Sequence, residues 1–204
     1  MGLREIKKER ARKAILEAAR DMFFKTGFDG TTIEEIAEKA EVAVGTVYNY
    51  FDSKSALILA ITADDTSTVL DEQFHIPESC TGLESVKLYI STFMENLSIY
   101  PKRLLRELIR EGWRSDTSLS KGLISQDLTL LDGLTRILLE LAEKQKLKSA
   151  IDLKHASLLI YGIITTTIIW YAADEARTSE QMLESLENML EILFIGLNPE
   201  GGDK

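Results

Sequence analysis

Nucleophiles and metal ligands are scarce in this chain. His75 and His155 stand 80 positions apart, and Cys80 is the only cysteine. That excludes an intramolecular disulfide and any cysteine-based zinc cluster. A helical enzyme would have to assemble a nucleophile–base pair or a metal set from distant residues, so the sequence asks for no metal and no cofactor. A different kind of chemistry is concentrated in one place. Gly45-Thr46-Val47-Tyr48-Asn49-Tyr50-Phe51, followed by Lys54, gathers hydroxyls, an amide, a cation and a glycine within ten residues. Val47 and Phe51 are four apart and face inward on a helix, which leaves Thr46, Tyr48, Asn49 and Tyr50 mostly outward. Such groups donate to phosphate oxygens or base edges, and Gly45 lets a backbone approach closely.

Those side chains need helices to hold them. Ile15, Ala18, Ala19, Met22 and Phe23 recur at helical steps, and Gly27 can end that helix as a C′ residue in left-handed geometry. Thr32 with Glu35, and equally Thr31 with Glu34, has capping-box spacing for a second helix whose face is Ile33, Ile36, Ala37 and Ala40. A third, about Val44 to Phe51, follows a turn at Glu41-Val42-Ala43. Two short helices joined this way are the material of a helix-turn-helix. Ser53 can cap a fourth. Later helices are expected at 83–99, 101–114, 119–146, 153–174 and 179–196, after a loop from His75 to Gly82. Thr178 with Gln181 caps the last. Ile163 to Ile169 is seven β-branched residues in a row, which locally favours a strand. No second strand is available to pair with it, so helix is expected there too.

Over residues 11–59 the sequence resembles the TetR/AcrR family of one-component transcriptional regulators. The resemblance rests on the basic arm, Ile15-Leu16-Glu17-Ala18-Ala19, Gly27-Phe28, Thr31-Thr32, Ile36-Ala37 and Gly45-Thr46-Val47-Tyr48-Asn49-Tyr50-Phe51 with Ser53-Lys54 and Leu57. It implies an all-α protein of about nine helices. A three-helix DNA-binding domain (1–52) would precede a ligand-sensing, dimerising domain (53–204). It also implies that Thr46, Tyr48, Tyr50 and Lys54 anchor phosphates, that Val44, Gly45 and Asn49 lie nearest the bases, and that Thr32 faces the DNA backbone from a helix N-terminus. The implied protein is a cytoplasmic homodimeric repressor, released from a palindromic double-stranded operator by a small-molecule effector. There are departures. Glu41 stands where the family often has glycine, Ala43 cannot cap the recognition helix, Val44 offers no charged base contact, and Ser55 replaces a common glutamate.

In the second half, Tyr89, Phe93, Trp113, Tyr161 and Trp170 are candidates to line an effector cavity. The Arg103, Arg106, Arg110 and Arg114 strip contains Arg103/Glu107 and Glu111/Arg114 pairs and reads as a salt-bridged surface. The last two helices are the expected dimer interface, through Gly162, Thr166, Leu186, Met189, Leu190, Leu193 and Phe194. Gly162 and Thr166, four apart, allow close helix approach. Ala156 to Ala173 holds eighteen residues without a charge. That is near the lower limit for a spanning helix; diluted by Ser157 and three threonines, it reads as buried, and no membrane partner is expected. The charged start, MGLREIKKERARK, lacks the apolar region of a signal peptide.

The net charge of −9 argues at first against nucleic acid as a partner. Its distribution reverses the argument. Residues 1–60 carry ten basic and ten acidic groups, and residues 61–204 carry the whole excess. Residues 1–13 hold six basic groups against two acidic ones, a basic arm fit to meet phosphates.

Overall fold

The computed structural model describes residues 2–67, 77–114, 117–147 and 151–197. These residues are helical throughout, with no strand among them: α1 (Leu3–Thr26), α2 (Ile33–Lys39), α3 (Val44–Tyr48), α4 (Lys54–Ser67), α5 (Gly82–Ser98), α6 (Lys102–Gly112), α7 (Ser118–Glu143), α8 (Leu153–Ala173) and α9 (Ser179–Leu197). His75 lies outside the described residues. The chain gathers into two compact units, one formed by Met1–Asp65 with Arg103–Ile124 and the other by Thr66–Lys102 with Ser125–Lys204. The first unit thus runs past residue 52 and takes in α6, a segment remote in sequence.

In the first unit, α1 buries Ile15, Ala18, Ala19 and Phe23, α2 buries Ile33, Ile36 and Ala37, and Val47 and Phe51 follow from the α3 segment. Leu57, Ile58 and Ile61 of α4 and Leu104 and Leu105 of α6 are buried as well. The Phe23 and Phe28 rings lie 5.7 Å apart across the end of α1. Gly27 has φ +80 with an extended ψ of 174, so its φ is positive but it does not take the left-handed geometry expected of it. A Cβ there would come within 2.7 Å of Glu107 Oε1.

In the second unit, α9 packs on α5 and α8. Met182, Leu186, Leu190 and Phe194 are buried along one face of α9. Ser157 and Thr135 join α8 to α7 through their hydroxyls at 2.9 Å. Tyr89 is wholly buried on α5, its hydroxyl pressed against Gly133 of α7 where any Cβ would collide. Burial pushes that phenol up to about 12. The β-branched run Ile163 to Ile169 is helical. Asp152 caps α8 by accepting from the N–H groups of Lys154 and His155, and Thr165 and Thr167 donate back to Tyr161 and Ile163 carbonyls.

Candidate nucleic-acid interface

Two helix ends build the turn that presents α3. At the start of α2, the Thr32 hydroxyl accepts from Glu35 N–H at 3.3 Å, and Glu35 Oε2 accepts from Thr32 N–H at 2.9 Å. Of the two boxes the sequence allowed, this is the one that forms. Thr31 is instead buried, donating to the Gly27 carbonyl. The Thr32 bonds hold the Glu35 carboxyl below its ordinary range. At the end of α2, Val42 N–H donates to Ala37 O at 3.0 Å and Glu41 N–H to Glu38 O at 3.1 Å. This is a Schellman closure with Glu41 at the left-handed position, φ 55, where glycine is the usual occupant.

The turn delivers α3 with its apolar side in and its polar side out. Val47 and Phe51 are buried, whereas Gly45, Tyr48 and Asn49 are exposed, Tyr48 to 49%. Val44, Thr46 and Tyr50 are half-buried at the edges. A Cβ on Gly45 would meet nothing within 4 Å, so its backbone is open to a close approach from outside. Ala43 makes no side-chain cap, leaving the first N–H groups of α3 without a side-chain acceptor from it. Lys54 is half-buried at the start of α4, which Ser53 caps through Ala56 N–H at 3.1 Å. Its ammonium donates to Thr31 O at 2.9 Å and lies 4.6 Å from the Phe28 ring centroid. That fixes the group beside the α1–α2 turn, with two N–H bonds left to give.

The α1–α2 turn is held from α6 as well, which the sequence did not disclose. Phe28 N–H donates to Glu107 Oε2 at 2.5 Å, Arg103 donates to the Thr26 carbonyl, and Arg110 donates to Asp29 Oδ2 at 2.7 Å. The Arg110 guanidinium holds the Asp29 carboxyl below its usual value. The local pairs Arg103/Glu107 and Glu111/Arg114 do form, at 3.4 and 3.1 Å. They accounted for the arginine strip so well that no signal remained for its longer-range bonds.

The effector candidates disperse. Tyr89 is core, and Phe93 and Tyr161 are half-buried in the second unit, where Tyr161 donates to Asp127. Trp113 belongs to the first unit and is 81% exposed. Trp170 is 54% exposed under the Arg177 guanidinium. A cleft of about 460 Å³ at the α8–α9 turn is walled by Asp174, Ala176, Arg177, Gln181, Glu184 and Ser185 and contains none of the five. The expected interface set also divides. Leu186, Leu190 and Phe194 are buried within their own chain and have almost no surface left to give a partner; Met189 and Leu193 are half-buried, and Gly162 and Thr166 are exposed.

Known proteins bear on this site. Residues 15–61 match the profile of the family described as bacterial regulatory proteins, tetR family. The fatty acid metabolism regulator protein of Bacillus subtilis (strain 168) is 27% identical over 192 residues, spanning 90% of this chain and 94% of the relative. The HTH-type transcriptional regulator RutR of Escherichia coli O157:H7 is 28% identical over 194 residues, spanning 92% and 91%. Among solved structures, the repressor FadR of Thermus thermophilus in complex with lauroyl-CoA superposes with a TM-score of 0.71 at 25% identity, covering 94% of this chain and 100% of that one. Bacillus halodurans FadR gives 0.74 at 20% identity, covering 92% and 100%. The helix-turn-helix thus lies inside the segment that matches the tetR family of bacterial regulatory proteins, and the two relatives that the chain resembles over nine-tenths of its length are regulators.

Proposed function

We propose that the protein is a cytoplasmic, homodimeric repressor that leaves a pseudo-palindromic operator when a fatty acyl-CoA binds its second unit. The observation that carries the DNA part is α3. Its outer side offers Val44, Gly45 and Asn49 to base edges, and Thr32, Thr46, Tyr48, Tyr50 and Lys54 flank it toward the phosphates. Two such helices in a dimer would enter successive major grooves about 34–36 Å apart. Dimerisation is supported by the apolar surface left on α8 and α9. Leu159 and Trp170 on α8 and Ile192 and Ile195 on α9 are exposed, around Gly162 and Thr166. The helix α8, with a mean hydropathy of 1.6 over its most apolar window, is long and apolar enough to cross a membrane. A second copy accounts for the same surface in water, as an isologous interface.

The acyl-CoA class is supported by the fatty acid regulator of Bacillus subtilis and by the lauroyl-CoA bound to Thermus thermophilus FadR. The effector can release DNA only by binding one conformation of the dimer more tightly than the DNA-competent one. A gel-shift with the DNA upstream of its own gene tests the reading. Tyr48→Ala and Asn49→Ala are expected to abolish the specific band, and lauroyl-CoA to dissolve it where free coenzyme A does not. Specific binding indifferent to both substitutions would remove α3 from the interface; indifference to acyl chains of any length would remove the effector class alone.

A further inference from the structure

We propose that the polar cleft at the α8–α9 turn receives the first turn of α8 from a second copy of the chain, with His155 as the residue it holds. The inference rests on the dimer reading and deepens it by fixing which residues meet across the two-fold axis. Two exposed stripes run out from the cleft. On α8, His155, Leu159, Gly162, Thr166 and Trp170 recur at steps of three and four, and all five are exposed. On α9, Gln181, Ser185, Asn188, Ile192 and Ile195 recur in the same way. Gln181 and Ser185 wall the cleft, and Trp170 lies under its Arg177. An isologous contact sets one end of such a surface against the other, so the order of residues along α8 decides the register. The small pair, Gly162 and Thr166, lies mid-stripe, and a Cβ on Gly162 would meet nothing within 4 Å in the single chain. With the axis between them, an antiparallel α8 sets Gly162 against the partner's Thr166, Leu159 against the partner's Trp170, and His155 against the partner's Asp174. Small meets small, apolar meets apolar, and base meets acid. A slide of one turn in one direction sets Leu159 beside the partner's Asp174 and His155 beside the partner's Arg177. The opposite slide carries the cleft acids beyond the start of the partner's α8.

The cleft is prepared for a basic group. Lys102 donates to the carbonyls of Asp174, Glu175 and Arg177 at 2.6, 3.2 and 2.5 Å, which pins the turn. Asp174 Oδ1 accepts from Ala176 N–H at 2.9 Å. The cleft's own cation is engaged, since Arg177 lies over the Trp170 ring and donates to Ser185 Oγ at 3.4 Å. Asp174 and Glu184 are both exposed, so the cleft presents two carboxylates to an incoming group. At the far end of the α8 stripe, His155 Nδ1 lies 2.7 Å from Asp152 Oδ2. That contact orients the ring and leaves Nε2 as the nitrogen that points away from Asp152. Lys154 beside it is exposed and adds a second positive group to the same turn.

Cross-linking tests the register. In a Cys80→Ala background, which removes the only cysteine, chains carrying Leu159→Cys and chains carrying Trp170→Cys are produced separately and together, then oxidised. The expected result is a disulfide-linked dimer in the mixture alone, because each new thiol faces the other variant's position and lies about 16 Å along the helix from its own copy. Sedimentation equilibrium tests the cleft. His155→Glu should weaken the dimer roughly tenfold by setting like charges together at both cleft ends. Adding Glu184→Lys should restore it, and His155→Lys alone should leave it as tight as the parent. In a parent that is dimeric, absence of the mixed cross-link, or a His155→Glu dimer as tight as the parent, overturns the inference and leaves the dimer reading standing. A parent that stays monomeric at every concentration removes the dimer reading and the inference with it.

Discussion

At the residue scale, the structure turns on backbone positions that disobey the usual preference. Glu41 and Gln145 adopt φ of 55 and 56, each closing a helix by a Schellman pattern; at Gln145 the 6→1 bond runs from Lys146 N–H to Leu141 O. A left-handed conformation costs an L-residue about 1–2 kcal/mol, partly offset by the extra freedom glycine has when unfolded. Glu41→Gly and Gln145→Gly should therefore each raise stability, by about 0.5–1 kcal/mol, in urea denaturation. Glu41 also puts a negative charge in the turn before α3, so only Glu41→Gly should tighten DNA binding. Equal or lower stability in both variants would contradict the strain argument, and equal effects on DNA would contradict the charge argument. Gly27→Ala should go the other way and cost more than either gain, because φ +80 is joined there by collision with Glu107 and Arg103. Glu41 and Gly27 were legible because turn chemistry is local. The partners of Lys54 were not, since Thr31 O lies 23 residues away and no side-chain pattern marks a carbonyl acceptor.

At the scale of elements, the helices could be read because each begins with its own punctuation. Thr32 with Glu35 and Thr178 with Gln181 form as their spacing implied, and Thr81 with Glu84 makes a further box that Gly82 disguised as loop. The bonds from Thr32 and Thr81 hold the Glu35 and Glu84 carboxyls below their ordinary 4.5, as Arg110 holds Asp29 below 3.8. Depressed carboxylates stabilise the fold fully above their unfolded pKa, and that stabilisation is lost as pH falls through the lower folded values. Stability should thus hold at pH 5 and begin to fall below about pH 4. Glu35→Gln with Glu84→Gln should flatten the fall, because a glutamine cap has nothing to protonate; an unaltered slope of urea midpoint against pH would refute this. Helix α8 shows why context outweighed propensity: with no strand to pair with, its β-branched run is bounded by a cap and supported by threonines that donate to their own helix. The grip of α6 on the α1–α2 turn was illegible for the opposite reason. Arg103 and Glu107 satisfy each other at four-residue spacing, and nothing in the sequence reports that both also reach residues 77 and 79 positions away.

At the scale of the molecule, the question is which apolar surface serves the chain and which serves a second copy. The interface expected on α8 and α9 includes Gly162 and Thr166, which are exposed, and three residues that the chain buries for itself. Leu186, Leu190 and Phe194 face α5 and α8, while Ile192 and Ile195 keep 71% and 69% of their surface. Periodicity identifies an amphipathic helix without saying which part of its apolar arc meets which partner. Two substitutions separate the roles. Leu190→Ala empties a buried site and should cost about 2–5 kcal/mol of stability. Ile192→Glu with Ile195→Glu should leave the isolated fold intact, since both positions are exposed in the single chain. In the proposed dimer a two-fold axis repeats each new carboxylate, so four charges would have to be desolvated against apolar neighbours. Even a penalty of about 3 kcal/mol weakens dimerisation roughly a hundredfold. Sedimentation equilibrium should therefore find monomers of the double variant at concentrations where the parent is dimeric, with unchanged helical circular dichroism. Binding to the upstream DNA should fall with it, because a monomer holds one half-site and forfeits the effective concentration that links the second. A double variant that remains dimeric and bound would put the interface somewhere other than this face of α9.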